Sequence, residues 1–171
     1  MPTFTQIGSA VVVGSGGAAT IDFTSIPSTY TDLVVKVSLR GPTGYASDTM
    51  DTYLRFNGTT TGYSDRLLYG TGSAAASISE TPTGINFRVV GQNSTASTFG
   101  NAEIYIPNYA GSTNKSVSID AVTENNATSV LTQLEAGLWS NTAAINQITL
   151  VPFTTGFAQY STAYLYGVSN A

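Results

Sequence analysis

The chain contains neither cysteine nor histidine. Without cysteine there is no disulfide, no thiolate metal site and no cysteine nucleophile. Without histidine the usual zinc sites and the Ser-His-Asp relay are excluded as well. Charge is scarce too, with 9% of residues ionisable as Asp, Glu, Lys or Arg, where about 25% is ordinary. Only six residues are basic and the net charge is −4. So few cations neutralise few phosphates, and nucleic-acid binding is not expected. No apolar run reaches the length of a membrane span, so no membrane partner is expected either. The start, Met1-Pro2-Thr3-Phe4-Thr5-Gln6, lacks a basic region followed by an apolar one. No secretory signal is read there, and synthesis in the cytoplasm is expected.

What remains is rich in Thr, Ser, Gly, Asn and Tyr. β-Branched and aromatic residues suit a pleated, half-buried surface, and Gly, Asn and Ser suit turns. The 171 residues fit one domain, with no linker-like stretch between two cores. Residues 1–5 read as a flexible arm. Thr5 to Val13 and Ala18 to Phe23 flank Gly14-Ser15-Gly16-Gly17 and read as a hairpin.

Asp32 to Arg40 carries the clearest pattern. Leu33, Val35, Val37 and Leu39 alternate with Val34, Lys36, Ser38 and Arg40. A period of two over this length predicts a strand with one buried face. Similar alternation predicts strands at Thr52–Asn57, Arg66–Tyr69, Ile85–Val90, Asn101–Ile106, Lys115–Val122, Asn146–Phe153 and Thr162–Val168. In the last, Tyr164 and Tyr166 share one face and Ala163 and Leu165 the other. Val130 to Trp139 fits helical or strand spacing, and Gly137 in its middle favours strand. Asn57-Gly58 marks a tight turn. Gly41–Asp51, Gly70–Gly84 and Gly91–Thr98 read as soft loops. The fold class that follows is all-β: an antiparallel β-sandwich of jelly-roll type, about nine or ten short strands, in one domain over 1–171.

Chemistry is hard to find. Asp48 and Asp51 are close enough in sequence to suggest an acid/base pair or an oxygen-ligand loop for calcium. The Gly and Glu of a calcium-binding loop are absent at the required offsets, so turn-forming aspartates explain them better. Asp120, Glu124 and Glu135 are expected as solvated charge. A serine nucleophile would need Lys36 or Lys115 as its base, and neither follows a Ser-x-x-Lys spacing. Gly14-Ser15-Gly16-Gly17 lacks the lysine and helix of a phosphate loop. No cofactor, no metal and no catalytic residue are expected. The ten tyrosines and the single tryptophan, Trp139, are open to three readings: core packing, a protein interface, or stacking on sugar rings.

Five segments, in order, carry a resemblance. They are Phe23-x-x-Ile26-Pro27-x-x-Tyr30-x-x-Leu33; Leu54-Arg55-Phe56-Asn57-Gly58; Asn108-Tyr109-Ala110 with Thr113-Asn114-Lys115; Gly137-Leu138-Trp139-Ser140-Asn141-Thr142-Ala143-Ala144-Ile145; and Leu165-Tyr166-Gly167-Val168. Together they resemble a family of small virion-associated structural proteins of tailed bacteriophages. The resemblance implies a virion part and carries over no catalytic residue. By itself it does not decide between capsid and tail; together with compactness, low charge and the lack of chemistry it leads to the expectation of a capsid decoration (cement) protein on the capsid surface, self-associating as a homotrimer and contacting the major capsid protein. Trp139, Tyr164 and Tyr166 are the expected interface residues. The rival expectation is a tail-fibre or receptor-binding domain that recognises a host surface glycan through loops such as Gly58–Tyr63.

Overall fold

The computed structural model describes residues 1–44, 46–124 and 130–169. These form thirteen strands and no helix. In chain order they are β1 (Thr3–Gln6), β2 (Val11–Val12), β3 (Ile21–Phe23), β4 (Asp32–Leu39), β5 (Thr49–Phe56), β6 (Tyr63–Gly70) and β7 (Ala75–Glu80), then β8 (Ile85–Val90), β9 (Gly100–Ile106), β10 (Lys115–Val122), β11 (Thr132–Trp139), β12 (Ile148–Pro152) and β13 (Thr162–Ser169). Paired strands run antiparallel throughout. Nine strands form a large sheet in the order β1-β13-β4-β9-β10-β11-β6-β7, with β2 also on β13. The other four form a small sheet, β3-β12-β5-β8.

Alternation explains why the sheets stack. Each strand sends every second side chain to one face. From the large sheet, Leu33, Val35, Val37 and Leu39 of β4 meet Ile104 and Ile106 of β9 and Val117 and Ile119 of β10. From the small sheet, Ile21, Phe23, Leu54, Phe56, Ile85, Phe87, Ile148 and Leu150 fill the other half of the same core. The result is the expected two-sheet antiparallel sandwich, with more strands than the sequence pattern indicates.

The additional strands are those whose residues carry little pattern. Thr3–Gln6 is not a free arm: it pairs with β13 from Thr3↔Ser169 to Gln6↔Tyr166. The hairpin expected across Gly14–Gly17 does not form. Val11–Val12 pairs with β13 in the large sheet, and Ile21–Phe23 pairs with β12 in the small one. Within the expected Gly70–Gly84 loop, Ala75–Glu80 is a strand on the edge of β6. The Asn57-Gly58 turn is present, with both residues at positive φ (50° and 68°). It carries the chain from the small sheet to the large one, so it closes an arch and not a hairpin. The Gly91–Thr98 segment is organised by one side chain: the Arg40 guanidinium donates to the carbonyls of Gln92, Ser94, Thr95 and Thr98.

One strand needs help from outside its sheet. Among the described strands β8 pairs only with β5, and Arg40 bridges to its last residue, Val90, so the other edge of β8 before Val90 has no strand beside it. Side chains of the large sheet supply what a strand would. Asp65 of β6 accepts from the Asn86 N–H at 2.9 Å. The Gln133 amide of β11 accepts from the Arg88 N–H and donates to the Arg88 carbonyl, each at 3.0 Å. Gly137 makes room for this approach. A Cβ built on it would lie 2.6 Å from Ile85 Cγ2, well inside van der Waals contact.

Gly137→Ala is therefore expected to destabilise the fold by about 1–3 kcal/mol through overpacking. In an Ile85→Ala background the same change is expected to cost much less. A double-mutant cycle on urea midpoints reads the coupling. Equal costs in both backgrounds would refute the contact.

Candidate binding face

The three expected interface residues separate. Trp139 is 1% exposed and presents nothing to a partner. Its indole packs on Phe56 at 5.5 Å and stacks on Tyr63 at 6.2 Å between ring centroids. The cause is register: on β11 the inward positions are Gln133, Glu135, Gly137 and Trp139, while Leu134 points outward and is 55% exposed. Leu134, Ala136 and Leu138 face out, while the polar Gln133 and Glu135 face in. Glu135, expected as solvated charge, is buried. Tyr164 and Tyr166 do lie on the outer face of the large sheet, where Tyr164 stands opposite Lys36 and Tyr166 opposite Val34.

The five segments of the resemblance meet at one pole of the sandwich. The Tyr109 hydroxyl donates to the Pro27 carbonyl and the Tyr109 carbonyl accepts from the Ile145 N–H. Asn57 Oδ1 accepts from the N–H groups of Asn146 and Gln147, and its Nδ2 donates to the Ala144 carbonyl at 2.8 Å. The Ile26 N–H donates to Asn146, and the Thr31 N–H to Val168. Lys115 stands opposite Trp139 on the neighbouring strand and its ammonium donates to the carbonyls of Gly111 and Thr113. With no carboxylate to offset its burial, this ammonium is pushed below the usual lysine range. Gly167 lies flat under the Tyr30 ring, where no Cβ fits. These residues lock three inter-sheet connections to the β9–β10 turn of the large sheet, and their roles are architectural.

The outer face of the large sheet is different. Cross-strand register builds two continuous rows of side chains over it. One runs Tyr164, Lys36, Glu103, Asp120, Leu134, Leu68 and Ser77. The next runs Tyr166, Val34, Tyr105, Ser118, Ala136, Arg66 and Ser79. Small residues at Ser118 and Ala136 leave a trough between the walls formed by Tyr105 and Arg66. The trough has a volume of about 570 Å³ and is lined also by Leu68, Glu103, Asp120 and Leu134. Tyr105 is held in place, because its hydroxyl donates to Asp32 at 2.8 Å and the carboxylate pushes the phenol above its ordinary range. Lys36 and Glu103 pair at 2.8 Å, and because both are about half exposed the pair adds little stability. Glu103 and Asp120 are directly opposed like charges, which costs stability in a sheet. The face therefore carries exposed apolar side chains, one rigid aromatic and an acidic spot.

Asp120 is not brought to Asp48 and Asp51. Asp120 lies on this outer face, Asp51 is tied to Arg88 on the small sheet at 3.0 Å, and Asp48 sits in the loop before β5. Among the described residues no cluster of three or more acidic side chains is placed to hold a metal ion, and no helix is long and apolar enough to cross a membrane.

Two substitutions distinguish face from core. The double change Leu68→Ser, Leu134→Ser is expected to alter unfolding free energy by no more than about 0.5 kcal/mol per site. Trp139→Ala is expected to cost about 3–5 kcal/mol. Urea unfolding reads both, and a mild effect at Trp139 would contradict its assignment to the core. Compared with known proteins, the chain matches no protein-family model, no curated protein and no solved structure.

Proposed function

We propose that the chain is a structural part of a tailed-phage virion, a capsid decoration protein that works by contact and not by catalysis. The observation that carries this reading is the division of labour across the molecule. The segments resembling virion proteins are spent on an interlocked pole with no reactive centre. The broad outer face of the large sheet, including Tyr164 and Tyr166, is left for contact. On this reading the chain is made in the host cytoplasm, assembles as a homotrimer and seats on the major capsid protein. Exposed apolar and tyrosine side chains supply such contacts at low entropy cost.

A second reading has its own observation. The trough beside Tyr105 combines a fixed ring with Glu103, Asp120, Ser118 and Arg66, a set suited to stacking and hydrogen-bonding a sugar. On that reading the chain is a tail-fibre or receptor-binding domain for host glycan.

Protein quantification of purified virions tests the first. The expected copy number is on the scale of the capsid's own subunits, and a number matching tail components would overturn it. For the second, a glycan array is expected to show binding that Tyr105→Ala abolishes, and a clean negative removes it.

A further inference from the structure

The polar seam that closes β8 contains a group left without a partner. Glu135 lies on β11 two residues from Gln133, on the same inward face, and is 4% exposed. Neither of its carboxylate oxygens has a hydrogen-bond partner, and the same is true of Asn86 Oδ1 on β8. All three atoms belong to residues lining one cavity of about 10 Å³, with Asp65, Leu67, Ile78, Glu80 and Arg88. That space holds no more than about one water-sized group. An ionised carboxylate only accepts hydrogen bonds, as does an amide oxygen. Unpartnered acceptors therefore share one buried cavity, at a cost that neither group recovers. One hydrogen resolves it.

We propose that Glu135 is carried as the neutral acid and donates its proton to an acceptor on the free edge of β8, so that a single proton latches the two sheets at this seam. The surrounding charge points the same way. Asp65 approaches from β6, and Glu80 of β7 stands directly opposite Asp65. Arg88 of β8 is the one cation lining the cavity, and it is engaged by Asp51 of β5 and lies over the Tyr69 ring at 5.6 Å. The inward positions of β10 nearest the seam are Val117, Ile119 and Ala121, and its Lys115 lies at the far end beside Trp139. Burial raises the Glu135 carboxyl to about 8, with Asp65 and Glu80 adding to the rise and Arg88 opposing it. Burial also raises Asp65.

An unfolded glutamate loses its proton near its ordinary value of about 4.3. From there up to about 8, the folded chain binds more protons than the unfolded one. Stability is full below the unfolded value and falls as pH rises through this window. Past its upper end the latch opens, and β8 loosens together with β7, whose residues are largely exposed.

Glu135→Gln tests this, because the amide keeps a donor and cannot ionise. Urea midpoints and intrinsic-rate-corrected amide exchange of β7 and β8 would be followed from about pH 5 to about pH 9 for both chains. The wild-type midpoint is expected to fall across the range while the variant stays nearly flat, and wild-type β7 and β8 amides are expected to gain exchange only at the alkaline end. Parallel profiles would overturn the proposal. If the variant fails to fold, the ¹³C carboxyl shift of wild-type Glu135 decides: a titration near 8 supports the latch, and one in the ordinary carboxylate range refutes it.

Discussion

The free edge of β8 is the constraint on which the sandwich depends. A four-stranded sheet lies against a nine-stranded one, and the shorter layer ends over the middle of the longer. An unpaired edge buried between layers cannot be left with bare N–H and C=O groups. The chain meets this with side chains: Asp65 and Gln133 stand in for a missing strand along Asn86 and Arg88. Gly137 removes the one Cβ that would hold Ile85 away. The polar inward face of β11, which looks inverted beside Leu134 and Leu138, follows from that requirement.

At the pole, the second closure ties side chains to the backbone of the connections. Asn57 spans the arch between the sheets, and Tyr109 ties the β9–β10 connection to Pro27 on one side and Ile145 on the other. Trp139 and Phe56 sit beneath these bonds, shielded from water. Hydrogen bonds and packing reinforce each other there, since a satisfied polar network can sit on an apolar floor without penalty.

Much of this was legible in the sequence where period two was strong. β4, β8, β10 and β13 follow their alternation closely, and Tyr164 and Tyr166 lie on the outer face as a pair. Asp120 falls opposite Val117, Ile119 and Ala121 as the pattern indicates. Legibility failed where composition and position part. β7 is made of Ala, Ser, one Ile and one Glu, and it is a strand because β6 offers an edge. Trp139 and Glu135 are inward because register binds them to Gln133 and Gly137. Alternation shows that Leu134 and Glu135 take opposite faces. It does not show which face is buried when the core needs a polar seam there. The asymmetry of the sheets, nine strands against four, creates that need and leaves no local trace.

The closure of β8 is open to direct measurement. Amide hydrogen exchange at Asn86 and Arg88, measured in mildly acidic solution, addresses it without any substitution. If Asp65 and Gln133 serve as the missing strand, both amides exchange only on global unfolding, as slowly as those of β4 in the centre of the large sheet. Exchange at the rate of an open edge, while β4 remains protected, would contradict it.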